Sequence, residues 1–313
     1  MNAAEWYTLF GTREARGISP AYERLSLAVA GSPPVLALLE ALPQPSRQPN
    51  LLFGVVRLLG GPVDDPAEFL SYVIAHWPAI EPQIRSRVTQ TNECGRCAVM
   101  LPVLAALPQP LALLEVGASA GLCLYPDRYS YRYGCDELGV GEPVLSCEAT
   151  GVALPASLPE VVWRAGLDLN PLDVTDPEDV AWLDALIWPE HEHRRSRLRA
   201  AAKIAAADPP LLVRGDLVAD LPALAAQAPA GATLVIFHSS VLYLVPEPPR
   251  QQFVEVVRGL PGPWLANEGP GVLTYPDLPS PPTDAAMNVL ALDGRPLAWA
   301  GGHGQSAHWF ASI

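Results

Sequence analysis

The sequence predicts an α/β protein: a doubly wound, mostly parallel sheet with antiparallel C-terminal strands, preceded by an all-helical N-terminal domain. Three observations carry this expectation. Before Leu111 no alternating strand pattern is evident, and the first hundred or so residues read as helices. After Leu111, apolar runs of strand length alternate with helical segments, as in a parallel sheet covered on both faces. At the junction, Leu111 to Gly121 reads as a buried strand that ends in an acidic residue and a turn of Gly, Ala and Ser. The expected division is residues 1–108 for the helical domain and 109–313 for the sheet domain.

Helices are predicted over Tyr22–Ala30 and over Val35–Leu42, where Ser32-Pro33-Pro34 supplies a cap and a first-turn proline. Asn50–Leu59 is stopped by Gly60-Gly61-Pro62, and Ala67–Trp77 starts behind Asp65-Pro66. A helix over Asn92–Leu107 must kink or split at Pro102. Strands are predicted at Leu111–Val116, Val161–Leu169, Leu211–Arg214, Thr233–Phe237 and Trp264–Ala266. Helices Val180–Leu186, Glu192–Ala207, Leu221–Gln227 and Pro249–Arg258 fall between them. Tyr129, Tyr131 and Tyr133 alternate with polar residues and predict a small inserted strand or hairpin. Asp293-Gly294 between apolar runs signals a terminal hairpin.

Composition narrows the function. Of 313 residues, 50% are hydrophobic and 17% charged, which fits a well-buried globular protein and argues against disorder. Acidic residues outnumber basic ones 33 to 20, and a net charge of −13 disfavours nucleic acid as a partner. The basic run Arg194, Arg195, Arg197 and Arg199 reads as a solvated helix face. Five cysteines give no disulfide framework. Cys94 and Cys97 have C-x-x-C spacing without a second pair at zinc-ribbon distance, so they read as buried or incidental thiols, and no metal site is expected. His191-Glu192-His193 reads as a helix start, because residues two apart on a helix point in different directions. The N-terminus lacks a basic and apolar leader pattern, and the apolar stretch near Val99–Leu124 is broken by three prolines and Glu115. A cytoplasmic protein without a membrane partner is expected.

Two chemistries use a small-residue turn after a strand. One cradles a nucleotide-like ligand on peptide N–H groups, which a side chain would hold away. The other is a nucleophile elbow, since Gly117-Ala118-Ser119-Ala120-Gly121 also spells G-x-S-x-G. Asp216, Asp293 and His303 follow Ser119 in hydrolase order. However, an elbow follows several earlier strands, and an oxyanion loop should precede it. The cofactor turn is therefore the leading reading, with a Ser119 hydrolase as its alternative.

The motif order resembles class I S-adenosylmethionine-dependent methyltransferases. In that family the first strand ends E/D-x-G-x-G-x-G, and Glu115, Gly117, Ser119 and Gly121 occupy those places, with Ala118 between them and serine replacing the middle glycine. The resemblance implies that Asp168 takes the ribose hydroxyls, with Asp173 in reserve. It also implies that Asp216, followed by Leu217, meets the adenine amino group, and that substrate and methyl group meet at Phe237-His238-Ser239-Ser240. It implies S-adenosylmethionine as cofactor and a small-molecule acceptor. A closer resemblance spans nearly the whole chain: Thr91-Asn92-Glu93 with Gly95-Arg96, the Leu114–Leu122 turn, Arg164–Asp168 with Pro171-Leu172-Asp173, and Trp188-Pro189-Glu190 with Arg194. These residues resemble a bacterial family known as domain of unknown function 2332, which implies an architecture and no reaction.

Other residues have two readings each. Glu93 and Arg96, three apart, either clamp a ligand over the turn or form an ordinary ion pair. Asn92 binds substrate or caps a helix. Arg194 holds a substrate carboxylate or is solvated, and Trp182 and Trp188 are core residues or a pocket wall. His238 and Glu268, at the ends of the fourth and fifth strands, are the acid–base candidates. A structural histidine is the other reading of His238. A non-catalytic binding protein on the same scaffold is a further alternative.

Overall fold

The computed structural model describes residues 1–313. Its helices are α1 (Ala3–Leu9), α2 (Pro20–Ala30), α3 (Pro33–Glu40), α4 (Pro49–Leu58), α5 (Pro66–Ser86) and α6 (Cys97–Ala106). The first strands follow: β1 (Leu111–Val116), β2 (Ser130–Tyr133), β3 (Asp136–Leu138), β4 (Val144–Ser146), β5 (Glu148–Thr150) and β6 (Val161–Asp168). Then come α7 (Pro177–Leu186), α8 (Glu192–Ala207), β7 (Leu211–Arg214), α9 (Leu221–Ala225), β8 (Thr233–Ser239), α10 (Glu247–Gly259) and β9 (Trp264–Glu268). The chain closes with β10 (Met287–Leu292), β11 (Arg295–Gly301) and β12 (Ser306–Trp309).

Two compact units result: residues 1–91 with 176–196, and residues 92–175 with 197–313. The helical unit stops short of residue 108, because α6 groups with the sheet. In exchange α7, expected as part of a strand crossover, groups with the N-terminal helices. The reason lies in the side chains. Trp182 of α7 stands against Gly54 of α4, where even a Cβ would approach the indole to 3.1 Å. Trp188 joins Tyr22, Phe10 and Phe53 in one aromatic core. Trp182 is fully buried, and Trp188 is half-buried against this core. Glu190 completes the unit by accepting from Ser19 Oγ at 2.7 Å and from the Ala21 N–H at 2.9 Å at the start of α2.

Prolines behave differently from the expectation. Helix α5 runs through Pro78 and Pro82, both exposed, so the carbonyls they leave without an intrahelical donor can be hydrated. Helix α6 likewise continues through Pro102. The missing Pro102 N–H leaves the Ala98 carbonyl without its helical donor, and the Tyr133 hydroxyl donates to it instead at 2.7 Å. The tyrosine-rich insertion is therefore a brace. Its small sheet has the order β3-β2-β4, and Tyr129 and Tyr131 donate to the carbonyls of Leu122 and Pro126 at 2.6 Å each.

The large sheet has nine strands in the order β5-β12-β11-β10-β9-β8-β1-β6-β7. Strands β7, β6, β1, β8 and β9 are mutually parallel, so the first five parallel strands stand in the order third, second, first, fourth, fifth. That is the doubly wound pattern, with the order reversing between β1 and β8. Strands β10, β11 and β12 continue as an antiparallel meander, turned at Asp293 and Gly294 with φ of 52° and 79°. Strand β5 adds in parallel at the far edge. Alternation divides β1 between two faces. Ala112, Leu114 and Val116 join the apolar layer of α9 and α10 with Phe253 and Trp264. Glu115 therefore faces the opposite side, as do Ser239 and Asn267 by register.

Candidate functional site

The turn after β1 has a specific backbone. Gly117, Ser119 and Gly121 all take the left-handed conformation, with φ of 72°, 51° and 70°. This is why the spacing favours glycine at alternate positions. Serine holds the middle one at a cost of about 1 kcal/mol, the usual left-handed penalty for an L-residue. The Asp168 carboxylate fixes it there. Its Oδ2 accepts the Ser119 N–H at 2.7 Å, and its Oδ1 accepts the Asn170 N–H at 2.7 Å.

The peptide groups of the turn are thus used internally. Gly117 N–H donates to the Leu167 carbonyl at 2.8 Å, and Gly121 N–H donates to Ala118 at 2.7 Å. The small residues have the same cause. A Cβ on Gly166 would meet Ala118 Cβ at 2.5 Å, and one on Gly117 would meet Val241 Cγ2 at 2.3 Å. An open cradle of bare amides at Gly117 to Ser119 is therefore not what this turn forms. Close packing of β6 and of Val241 against it accounts for its composition.

What lines the carboxyl edge of the parallel strands is a row of acidic groups. Glu115 is the last residue but one of β1, Asp168 ends β6, and Asp216 follows β7 in a turn where its Oδ1 accepts the N–H groups of Val218 and Ala219 at 2.8 and 3.0 Å. Leu217 turns into the apolar layer instead. Glu115 is 5% exposed, and its Oε2 has no hydrogen-bond partner. Burial, and then the neighbouring Cys123, raise its carboxyl well above the ordinary range, opposed by the charge of Arg96. A raised value means that the folded chain binds a proton that the unfolded chain releases above pH 4.5. Stability from this group is accordingly full below pH 4.5 and falls as pH rises, by about 1.4 kcal/mol per pH unit until the folded carboxyl ionises. Glu115→Gln should flatten that slope and raise urea-unfolding stability at pH 7 while matching the parent at pH 4. A variant weaker at every pH would instead make Glu115 an ionised partner of Arg96.

The acid–base candidates sit on the other face. The Trp264 indole N–H donates to His238 Nε2 at 2.9 Å. An indole only donates, so Nε2 is the acceptor and the proton lies on Nδ1, which donates to Glu268 Oε1 at 2.7 Å. His238 is fully buried between Phe253 and Trp264, with both ring nitrogens engaged, and offers no base to a substrate. The same Glu268 oxygen accepts the N–H groups of Val241 and Leu242 at 3.0 and 3.1 Å. Glu268 thus pins the bend that carries Val241 onto Gly117. Both residues position that bend.

The substrate candidates also take structural places. The Glu93 Oε1 accepts from Gly95 N–H at 3.0 Å and pairs with Arg197 Nη2 at 2.8 Å, with the Glu93 side chain only 3% exposed. Arg197, expected on a solvated face, is therefore an interior partner. Arg96 donates from Nη1 to the Ser239 carbonyl at 2.9 Å and from Nε to the Gly302 carbonyl at 3.1 Å, tying β8 to the Gly301–Gly304 loop. Asn92 Oδ1 accepts the Leu122 N–H at 3.4 Å, while its Nδ2 is buried without a partner. Arg194 belongs to the helical unit. Sequence reasoning did not single out Asn267, fully buried at the end of β9, whose Nδ2 donates to Ser239 Oγ at 2.9 Å and whose Oδ1 has no partner. Its signal was a polar pair, Asn267-Glu268, closing an apolar strand so that one residue points to each face.

No helix is long and apolar enough to cross a membrane. No curated protein and no solved structure matches the chain. A family model described as "Uncharacterized protein conserved in bacteria (DUF2332)" matches residues 4–309, and the chain belongs to that family.

Proposed function

We propose that this family member binds S-adenosylmethionine at the carboxyl edge of its doubly wound sheet and directs its methyl group to a small, non-nucleic-acid acceptor. The reading is carried by Glu115, Asp168 and Asp216, standing at the carboxyl ends of three adjacent parallel strands beside the reversal between β1 and β8. In open α/β sheets this crevice is the usual ligand position. The chemistry of Asp168 and Asp216 suits the cofactor, since ribose hydroxyls and an adenine amino group are donors to carboxylate oxygens. Each Asp168 oxygen accepts one backbone N–H and retains a second lone-pair site. The cofactor supplies the activated methyl group, and the protein's task is alignment.

The internally bonded turn supports a second reading, a binding or interaction protein on the same scaffold without turnover. Calorimetric titration with S-adenosylhomocysteine tests both. Micromolar binding is expected, weakened at least tenfold by Asp168→Ala, since a hydrogen bond to a charged group contributes about 1.5–3 kcal/mol. A thermal melt checks that the variant is folded. Binding without methylation of any acceptor in a panel favours the second reading, and no heat at saturating ligand rejects the cofactor in both.

A further inference from the structure

Serine and asparagine pair twice where β8, β9 and β10 meet the carboxyl edge. Asn267 Nδ2 donates to Ser239 Oγ at 2.9 Å, and Asn288 Nδ2 donates to Ser240 Oγ at 2.9 Å. Register sets Ser239 opposite Asn267, and Asn267 opposite Leu290 of β10. Alternation then puts Ser239, Asn267 and Asn288 on the face that Glu115 shares. Asn267 and Ser239 are buried, whereas Ser240 and Asn288 are half-buried and form the open end. The buried Asn267 Oδ1 has no partner. We propose that the two pairs hold a small polyhydroxylated ligand, one hydroxyl against each pair. This names the acceptor class of the methyl transfer above, and rests on that reading only for the ligand's fate.

The chemistry of each pair sets the ligand class. An amide bonded to a hydroxyl leaves one acceptor and one donor over, here Asn267 Oδ1 and the Ser239 hydroxyl hydrogen. Exchanging the amide's oxygen and nitrogen leaves the same count. A ligand hydroxyl both donates and accepts, so it satisfies such a pair completely. An ammonium only donates and a carboxylate only accepts, so either would leave a buried group unmet. The pairs also carry no charge to offset an ion's lost hydration. Their positions are fixed through the backbone. Arg96 Nη1 donates to the Ser239 carbonyl at 2.9 Å, and the Ser240 N–H donates to the Asn267 carbonyl at 3.0 Å. Ser240 is thereby held at φ of 53°, a conformation L-residues rarely adopt, while its hydroxyl meets Asn288.

Saturation-transfer NMR of the whole chain with myo-inositol, D-glucose and D-ribose tests the assignment, without and with S-adenosylhomocysteine. Millimolar binding of at least one of these polyols is expected. Ser240→Ala and Asn288→Ala, at the half-buried pair, should remain folded by thermal melt. Each should weaken that binding about fivefold, the fold-change of one neutral hydrogen bond. Ser239→Ala should do the same at the inner pair. Affinity unchanged in all three variants would overturn the proposal. So would no transfer from any polyol, or transfer from ethylammonium or acetate in their place. Polyol binding without heat from S-adenosylhomocysteine rejects the cofactor and leaves the two pairs standing. The reverse result rejects the pairs alone.

Discussion

Asp127→Ala should destabilise the sheet unit by about 3–5 kcal/mol, the usual cost of leaving one member of a buried ion pair without its partner. Arg164 Nη2 lies 2.7 Å from Asp127 Oδ2, with side chains 7% and 11% exposed. The guanidinium also stacks 4.7 Å over Tyr125 and donates to the Leu124 carbonyl, so it cannot swing to water without releasing the segment after the turn. Asp208 is a poor substitute at 4.0 Å and 64% exposed. Urea unfolding measures the loss. The double variant Asp127→Leu with Arg164→Met should recover most of it, because apolar replacement of a buried pair is often neutral. A single-variant loss below about 1 kcal/mol would show that Arg164 is solvated.

Gly304→Ala should cost about 3 kcal/mol. The residue has φ of 84°, and its added Cβ would stand 1.8 Å from the Gly95 carbonyl oxygen and 2.2 Å from that carbonyl carbon. Left-handed strain accounts for about 1 kcal/mol, and overpacking for about 1–3 kcal/mol. Both contacts are backbone, so relief requires the Gly301–Gly304 loop to lift and Arg96 to lose Gly302. Ala at Gly302, where a Cβ meets nothing within 4 Å, is the control and should be nearly silent. Equal melting temperatures for the two variants would contradict the close approach.

The strands were legible where burial alone dictates them. Leu111–Val116 and Met287–Leu292 begin and end where the apolar runs do, because central strands need apolar residues on both faces. Strands β5 and β12 carried no such signal; they are short and lie at one end of the sheet. Proline misled at α5 and α6, since solvent and Tyr133 satisfy the freed carbonyls and neither is visible in local sequence. The grouping of α7 with the N-terminal helices depends on Trp182 fitting Gly54, a long-range match that periodicity does not encode. At the site, the positions of Glu115, Asp168 and Asp216 were readable from strand ends. The cause of the glycines was not: small residues look alike in sequence whether they admit a ligand or a neighbouring Val241. His238 shows the same limit, because only the fold places Trp264 on its free nitrogen.

A crystal structure of the protein soaked with S-adenosylhomocysteine tests the central claim most directly. The ribose hydroxyls should lie on Asp168 and the adenine amino group toward Asp216, across the carboxyl ends of β1, β6 and β7. A crevice without ligand density, with Val241 still seated on Gly117, would contradict it.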